Sequence, residues 1–286
     1  MTASEFRFRP SKSRDEPATP VPERKRGTMT PDPVLPAART AVVTGAGSPR
    51  GIGRATASRL ARDGWAVGIL DIDGAAAQRV AEQVVQAYGV PALGVRADIS
   101  DEASIDIAVS AVESALPPVI GLVNVAGVSS PVPFLEVTPA EWDRVFDVNM
   151  RGTFLVTRRV VPAMIAAGVG RIASISSISA QRGGGTYSKV PYSASKAAVI
   201  GFTRALAREL GPHKITVNCV APGPIDTDIM GGTLTEERKA QMSADVLLGR
   251  VGTVHDVAAL LAFLLSQEAG YITAATYDIN GGLQIS

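Results

Sequence analysis

The sequence predicts a doubly wound α/β domain built on a parallel sheet, and three observations carry that expectation. From Arg39 onward, short apolar runs alternate with amphipathic stretches. No internal repeat divides the chain. With 286 residues, 46% of them hydrophobic, there is enough apolar material for one large core. Strands that alternate with helices require right-handed crossovers, which cover a parallel sheet on both faces.

Candidate strands cover 40–44, 65–71, 92–97, 120–126, 171–176, 216–221 and 276–279. Candidate helices cover 52–62, 75–88, 102–114, 140–166, 192–210 and 254–265. The first strand runs into a glycine-rich loop and then a helix. The second ends at Asp71, after which Asp73 is placed to cap the next helix. The helix over 140–166 has a marked start, with Thr138 as N-cap, Pro139 at its first position and Glu141 completing a capping box.

The first 36 residues differ from the rest. Pro10, Pro17, Pro20, Pro22, Pro31, Pro33 and Pro36 fall there among mixed charges, with almost no aliphatic periodicity. Such a stretch cannot bury enough apolar surface to offset its ordering entropy, so 1–36 is expected to be a disordered tail and 37–286 a single domain. The tail lacks the apolar core of a secretory signal, and its Arg24-Lys25-Arg26 cluster reads as solvated charge.

Composition removes several function classes. A net charge of +1 gives no electrostatic case for nucleic acid or an anionic membrane. Cys219 is the single cysteine, which excludes an internal disulfide and a cysteine-based zinc cluster. The only histidines are His213 and His255, so no metal site is expected. No apolar run approaches the roughly 20 residues that span a bilayer. The expectation is a soluble, cytoplasmic enzyme.

The loop Thr44-Gly45-Ala46-Gly47-Ser48-Pro49-Arg50-Gly51-Ile52-Gly53 links a strand to a helix. Glycines there allow a tight turn and close approach of a pyrophosphate, which the helix N-terminus attracts through its free N–H groups. Gly45, Gly47, Gly51 and Ile52 are therefore candidate cofactor contacts. Asp71, at the end of the second strand, can accept hydrogen bonds from both adenine-ribose hydroxyls and repels a 2′-phosphate. Ile72 follows it rather than a basic residue, so NAD is expected over NADP. Arg50 dissents, since its loop position would let a cation reach that phosphate.

Tyr192 and Lys196 stand at i and i+4 of a patterned helix, on one face and within mutual reach. A free tyrosine with pKa near 10 is a poor base at neutral pH, and a nearby ammonium favours its phenolate. Ser176 and Ser177 close the fifth strand, at the carboxyl edge where ligands of such sheets bind. Asn149 is a poor helix former inside the 140–166 helix and would mark a kink that anchors a water chain.

Together these residues resemble the short-chain dehydrogenase/reductase family over essentially all of 39–286. Matching motifs are the glycine loop, Asp98-Ile99 after the third strand and Asn124-Val125-Ala126-Gly127 after the fourth. Then come Asn149, Ser177, Tyr192 and Lys196 in family order, Pro222-Gly223-Pro224-Ile225-Asp226-Thr227, and a final Asp278-Ile279-Asn280-Gly281-Gly282. The resemblance implies a seven-stranded Rossmann-type sheet of order 3-2-1-4-5-6-7 and hydride exchange between NAD and a secondary alcohol or ketone. Tyr192 would be the general acid/base. Lys196 would bind the nicotinamide ribose and lower the tyrosine pKa. Ser177 would orient the carbonyl, and Asn149 would hold a relay water.

The resemblance also places Asp98 and Ile99 beside the adenine, and Ile225 and Thr227 at the carboxamide. Asn124, Ala126, Gly127, Pro222 and Gly223 would complete the cofactor site. It implies a homotetramer or homodimer joined through the helices at 140–166 and 192–210.

Two departures stand out. Five residues separate Gly45 from Gly51 where the family commonly has three, so the extra residues fall near Ala46-Gly47. The family's usual spacing from serine to tyrosine selects Ser179, whereas the strand register selects Ser177, with an insertion around Gly183-Gly184-Gly185. The substrate is expected to be set by 128–134, 179–190 and a lid at 228–248. Rival functions are an NADPH-dependent ketoreductase such as a 3-oxoacyl reductase, and a non-catalytic dinucleotide-binding regulator.

Overall fold

The computed structural model describes residues 33–185, 187–230 and 232–285. Seven strands, β1 (Thr40–Thr44), β2 (Ala66–Asp71), β3 (Ala92–Arg96), β4 (Val119–Asn124), β5 (Gly170–Ile175), β6 (Ile215–Pro222) and β7 (Thr276–Ile279), form one sheet. Their order is β3-β2-β1-β4-β5-β6-β7 and every neighbouring pair is parallel. This is the expected Rossmann-type fold. All residues of β1, β4, β5 and β6 are buried, as a sheet covered on both faces requires.

Helices α1 (Ile52–Arg62), α2 (Gly74–Tyr88), α3 (Glu102–Ala115), α4 (Pro139–Phe146), α5 (Gly152–Ala167), α6 (Ser179–Arg182), α7 (Val190–Leu210), α8 (Glu236–Ser243) and α9 (Val254–Leu265) connect the strands. One core layer joins Leu60, Val80 and Leu261 of α1, α2 and α9 to the sheet. The other joins Ile105, Val156 and Leu210 of α3, α5 and α7.

The strand order reverses between β1 and β4, so the chain leaves the sheet in opposite directions there and opens a crevice at the carboxyl edge. Thr44 fixes this point. Its Oγ1 accepts from the N–H groups of Val125 and Ala126, at 3.1 and 3.2 Å. Those two residues therefore lie beyond β4 rather than in it, because their donors turn to a side chain of β1.

The helix expected over 140–166 is interrupted. Residues Asp147–Arg151 form a π turn between α4 and α5, in which Gly152 N–H donates to Asp147 O. Asn149 supplies the reason. Its Oδ1 accepts from Val128 N–H at 2.8 Å, and its Nδ2 donates to Val128 O and Ser195 Oγ, both at 3.0 Å. A side chain so committed draws the backbone out of α geometry.

Residues 1–32 of the expected tail lie outside the described residues. Leu35 is buried in the α1 and α9 layer, and its N–H donates to Gln267 Oε1 at 2.8 Å. No helix among the described residues is long and apolar enough to cross a membrane.

Candidate active site

The crevice at the carboxyl edge encloses about 1030 Å³. One end is walled by Asp71, Ile72, Asp98 and Ile99. Tyr192, Lys196 and Ser177 lie within it, and Tyr187, Arg238 and Met242 also line it.

The glycine loop forms one wall. Gly45 has φ +65°, and a Cβ there would stand 2.7 Å from Ala126 Cα, so only glycine fits between β1 and the chain leaving β4. Gly51 is the N-cap of α1 and contributes no side-chain cap, whereas Asp73, Asp101, Thr138, Thr235 and Thr253 cap α2, α3, α4, α8 and α9. The first turn of α1 thus presents bare N–H groups beside the crevice, a site for an anion.

Asp71 is oriented by that loop. Its Oδ2 accepts from Gly47 N–H at 2.7 Å and its Oδ1 from Asp73 N–H at 3.0 Å. Gly47 therefore acts beneath the carboxylate rather than on the crevice wall. Asp98 accepts from Ser100 N–H and Oγ–H, which hold its carboxyl below the usual range. Arg50 forms an ion pair with Asp226 and a second with Asp228 at 3.1 Å, so it joins the glycine loop to the chain after β6.

At the other end, Tyr192 and Lys196 are buried on one face of α7. Lys196 Nζ stands 5.8 Å from the Tyr192 ring centre and donates to Ile175 O at 2.9 Å. Ser176 Oγ donates to Lys196 O at 2.8 Å, so the end of β5 grips the turn that carries the lysine. Burial lowers the Lys196 pKa to about 8. Burial also raises that of Tyr192, against a smaller lowering by its hydrogen bond with Ser177. Desolvation outweighs that hydrogen bond in this enclosed position. Ser179 also lines the crevice and donates its backbone N–H to Ser177 Oγ at 3.1 Å.

Most of the expected residues meet here. Gly45, Gly51, Ile52, Asp71, Asp98, Ile99, Ala126, Gly127, Ser177, Tyr192, Lys196, Pro222, Gly223, Ile225 and Thr227 line the crevice. Gly47, Arg50, Asn124 and Asn149 do not. Asn124 is buried behind the wall, where its Nδ2 donates to Thr157 Oγ1 and Ser174 Oγ at 3.1 and 3.2 Å. Asn149 reaches the site through Ser195, whose Oγ donates to Tyr192 O at 2.8 Å. Ser195 carries no distinguishing signal in the sequence, because its partner Asn149 lies on another helix.

The sequence pattern described as Enoyl-(Acyl carrier protein) reductase matches residues 45–284. An uncharacterized short-chain type dehydrogenase/reductase of Sinorhizobium fredii is 43% identical over 247 residues, covering 86% of this chain and 98% of its own length. The chain belongs to the short-chain dehydrogenase/reductase family. Other relatives in the family are a 3-oxoacyl-(acyl-carrier-protein) reductase of Aquifex aeolicus and a (3R)-3-hydroxyacyl-CoA dehydrogenase of Rattus norvegicus. The first is 42% identical over 237 residues, covering 83% of this chain and 94% of the relative. The second is 40% identical over 256 residues, covering 85% and 95%.

Short-chain dehydrogenases/reductases are oxidoreductases that bind a nicotinamide dinucleotide. The residues present fit such a group. A carboxylate stands at one end of the crevice and a buried ammonium and phenol further along it, with a glycine loop and an uncapped helix end in its wall. A Cβ on Gly127 would stand 3.1 Å from Asn149 Oδ1 and 3.3 Å from Lys196 Nζ, so glycine keeps the crevice open beside the lysine.

Proposed function

We propose that this protein is an NAD-dependent oxidoreductase that interconverts a secondary alcohol and a ketone. The observation that carries this is the Tyr192–Ser177–Lys196 cluster buried in the same crevice as Asp71. The bound nicotinamide ring supplies the two-electron redox chemistry. The phenol of Tyr192 gives a proton to the substrate oxygen in reduction and takes it back in oxidation. Burial favours the neutral phenol, the form that gives a proton in reduction.

The Ser177 hydroxyl donates to the same oxygen and orients it. Lys196 holds the nicotinamide ribose, and its positive charge favours the phenolate when the reaction runs toward oxidation. Asn149 holds α7 through Ser195, and its side chain is committed to Val128 and Ser195. Asp71 binds the adenine ribose, with Asp98 and Ile99 beside the adenine. Gly45, Gly51 and Ile52 would enclose the pyrophosphate, with Gly47 holding Asp71 from behind, while Ala126, Gly127, Pro222, Gly223, Ile225 and Thr227 would enclose the nicotinamide half. Asn124 supports this wall from behind.

The relatives named for 3-oxoacyl and 3-hydroxyacyl thioesters favour a substrate of that class, and with it the reading as a 3-oxoacyl reductase. Asp71 supports NAD rather than NADP, because its charge repels a 2′-phosphate. With acetoacetyl-CoA reduction as the assay, kcat/KM with NADH should exceed that with NADPH at least about tenfold, roughly 1.4 kcal/mol. Equal use of the two, or the reverse preference, would remove the role given to Asp71. No turnover with either would favour a non-catalytic regulator.

We also propose a homo-oligomer, acting in the cytoplasm, joined through α4, α5 and α7. Phe146, Met150, Phe154 and Phe202 line an apolar groove of about 340 Å³ there, with Trp142 stacked on Phe146 at 4.7 Å. Exposed aromatic surface of this kind marks interaction sites. Light scattering should give a mass of two or four chains, and Phe154→Glu should reduce it. A single-chain mass for the unaltered protein would remove the proposal.

A further inference from the structure

The segment that follows β6 carries two carboxylates outside the roles assigned so far. Asp226 accepts from Arg50 of the glycine loop, and its Oδ2 stands 3.0 Å from Lys239 Nζ of α8. Asp228 Oδ1 stands 3.1 Å from Arg50 Nε. Both pairs are partly exposed, with side-chain exposures of 37% for Arg50, 27% for Asp226 and 36% for Asp228. Such pairs form and break readily. Asp226 is fixed through its backbone, whose N–H donates to Gly252 O at 2.9 Å. Arg50 is thus a loop cation drawn toward one anchored carboxylate and a second beside it. Asp71 is held by Gly47 N–H of the same loop.

We propose that Asp226 and Asp228 are specificity-determining residues for the cofactor, because they withhold Arg50 from a 2′-phosphate on the adenine ribose. This rests on the NAD reading of the crevice. Asp71 acts by repelling the extra phosphate; Asp226 and Asp228 act by occupying the one loop cation that could compensate it. Discrimination then has two independent sources, on β2 and after β6. Removing the second should raise NADP affinity without any change at Asp71.

The test is titration calorimetry of NAD⁺ and NADP⁺ against the intact chain, with no substrate and no turnover. The readout is the ratio of the two Kd values. The bare N–H groups of α1 face the pyrophosphate common to both molecules, so their contribution cancels in that ratio. Asp226→Asn combined with Asp228→Asn should shift the ratio toward NADP by about three- to fivefold, the worth of an exposed pair near its upper range. Adding Arg50→Met to that double variant should return the ratio to the starting value.

An unchanged ratio in the double variant overturns the proposal, and so does a shift that survives Arg50→Met. The starting ratio of the unaltered protein tests the NAD reading separately, since the proposal concerns only its change. If the double variant fails to melt cooperatively, Asp228→Asn alone decides. Asp228 opens a partly exposed turn, and its loss should shift the ratio about twofold; no shift overturns the proposal.

Discussion

Tyr192→Phe should lower turnover at least about a hundredfold while the fold and NAD binding stay intact. A general acid/base contributes on the order of 10²–10⁴ to a rate, and the substitution removes one oxygen from a ring that otherwise keeps its packing. That oxygen is hydrogen-bonded to Ser177, whose Oγ also accepts from the backbone of Ser179. Ser177→Ala should therefore be severe. Ser179→Ala should be mild, because the donor it offers Ser177 is main chain and survives the change. Steady-state kinetics of the three variants, with calorimetry of NAD binding, check this. The reverse order of the two serines would shift the substrate-orienting role to Ser179.

Lys196→Met should abolish most activity and weaken NAD binding, yet make the protein more stable. Burial lowers the lysine pKa to about 8, against about 10.4 in an unfolded chain. Between those values the unfolded chain holds a proton that the folded chain lacks, so this group's contribution to stability rises with pH across that window. Below pH 8 its full desolvation penalty is present. The methionine should accordingly stabilise the fold most below pH 8, by about 1–3 kcal/mol once the lost donor to Ile175 O is allowed for. Its advantage should shrink as the pH rises toward 10.5. Thermal melts of both proteins from pH 6 to pH 10 measure this. A melting temperature that falls at pH 7 would mean that the bond to Ile175 outweighs the burial of the charge.

Much of this was legible in the sequence, for reasons that differ by element. The strands β1, β4, β5 and β6 read as unbroken apolar runs because helices cover both faces of the sheet. Tyr192 and Lys196 were legible because their relation is local to one helix. The π turn was anticipated only as a kink, since the partners that create it, Val128 and Ser195, are distant in sequence from Asn149. Helix α8 escaped because none of its residues is buried, which leaves no hydrophobic period to read. Asn124 was grouped with the cofactor contacts through its neighbours, but its register on β4 points its amide at Thr157 and Ser174. The pairing of Arg50 with Asp226 could not be inferred, because it joins two loops on different strands.

The π turn at Asp147–Arg151 also acts as a phase shifter. One extra residue in the ladder rotates everything downstream by about 100° around the axis. Before it, α4 turns only Val145 inward; after it, α5 aims Val156, Val160 and Met164 at the sheet. The two helices can therefore set their azimuths independently. The stacked pair Trp142 and Phe146 thus faces its own way without turning the core stripe of α5 from the sheet. Asn149 sits at the joint, so the clamp that serves the active site is also the spacer that decouples its two neighbours.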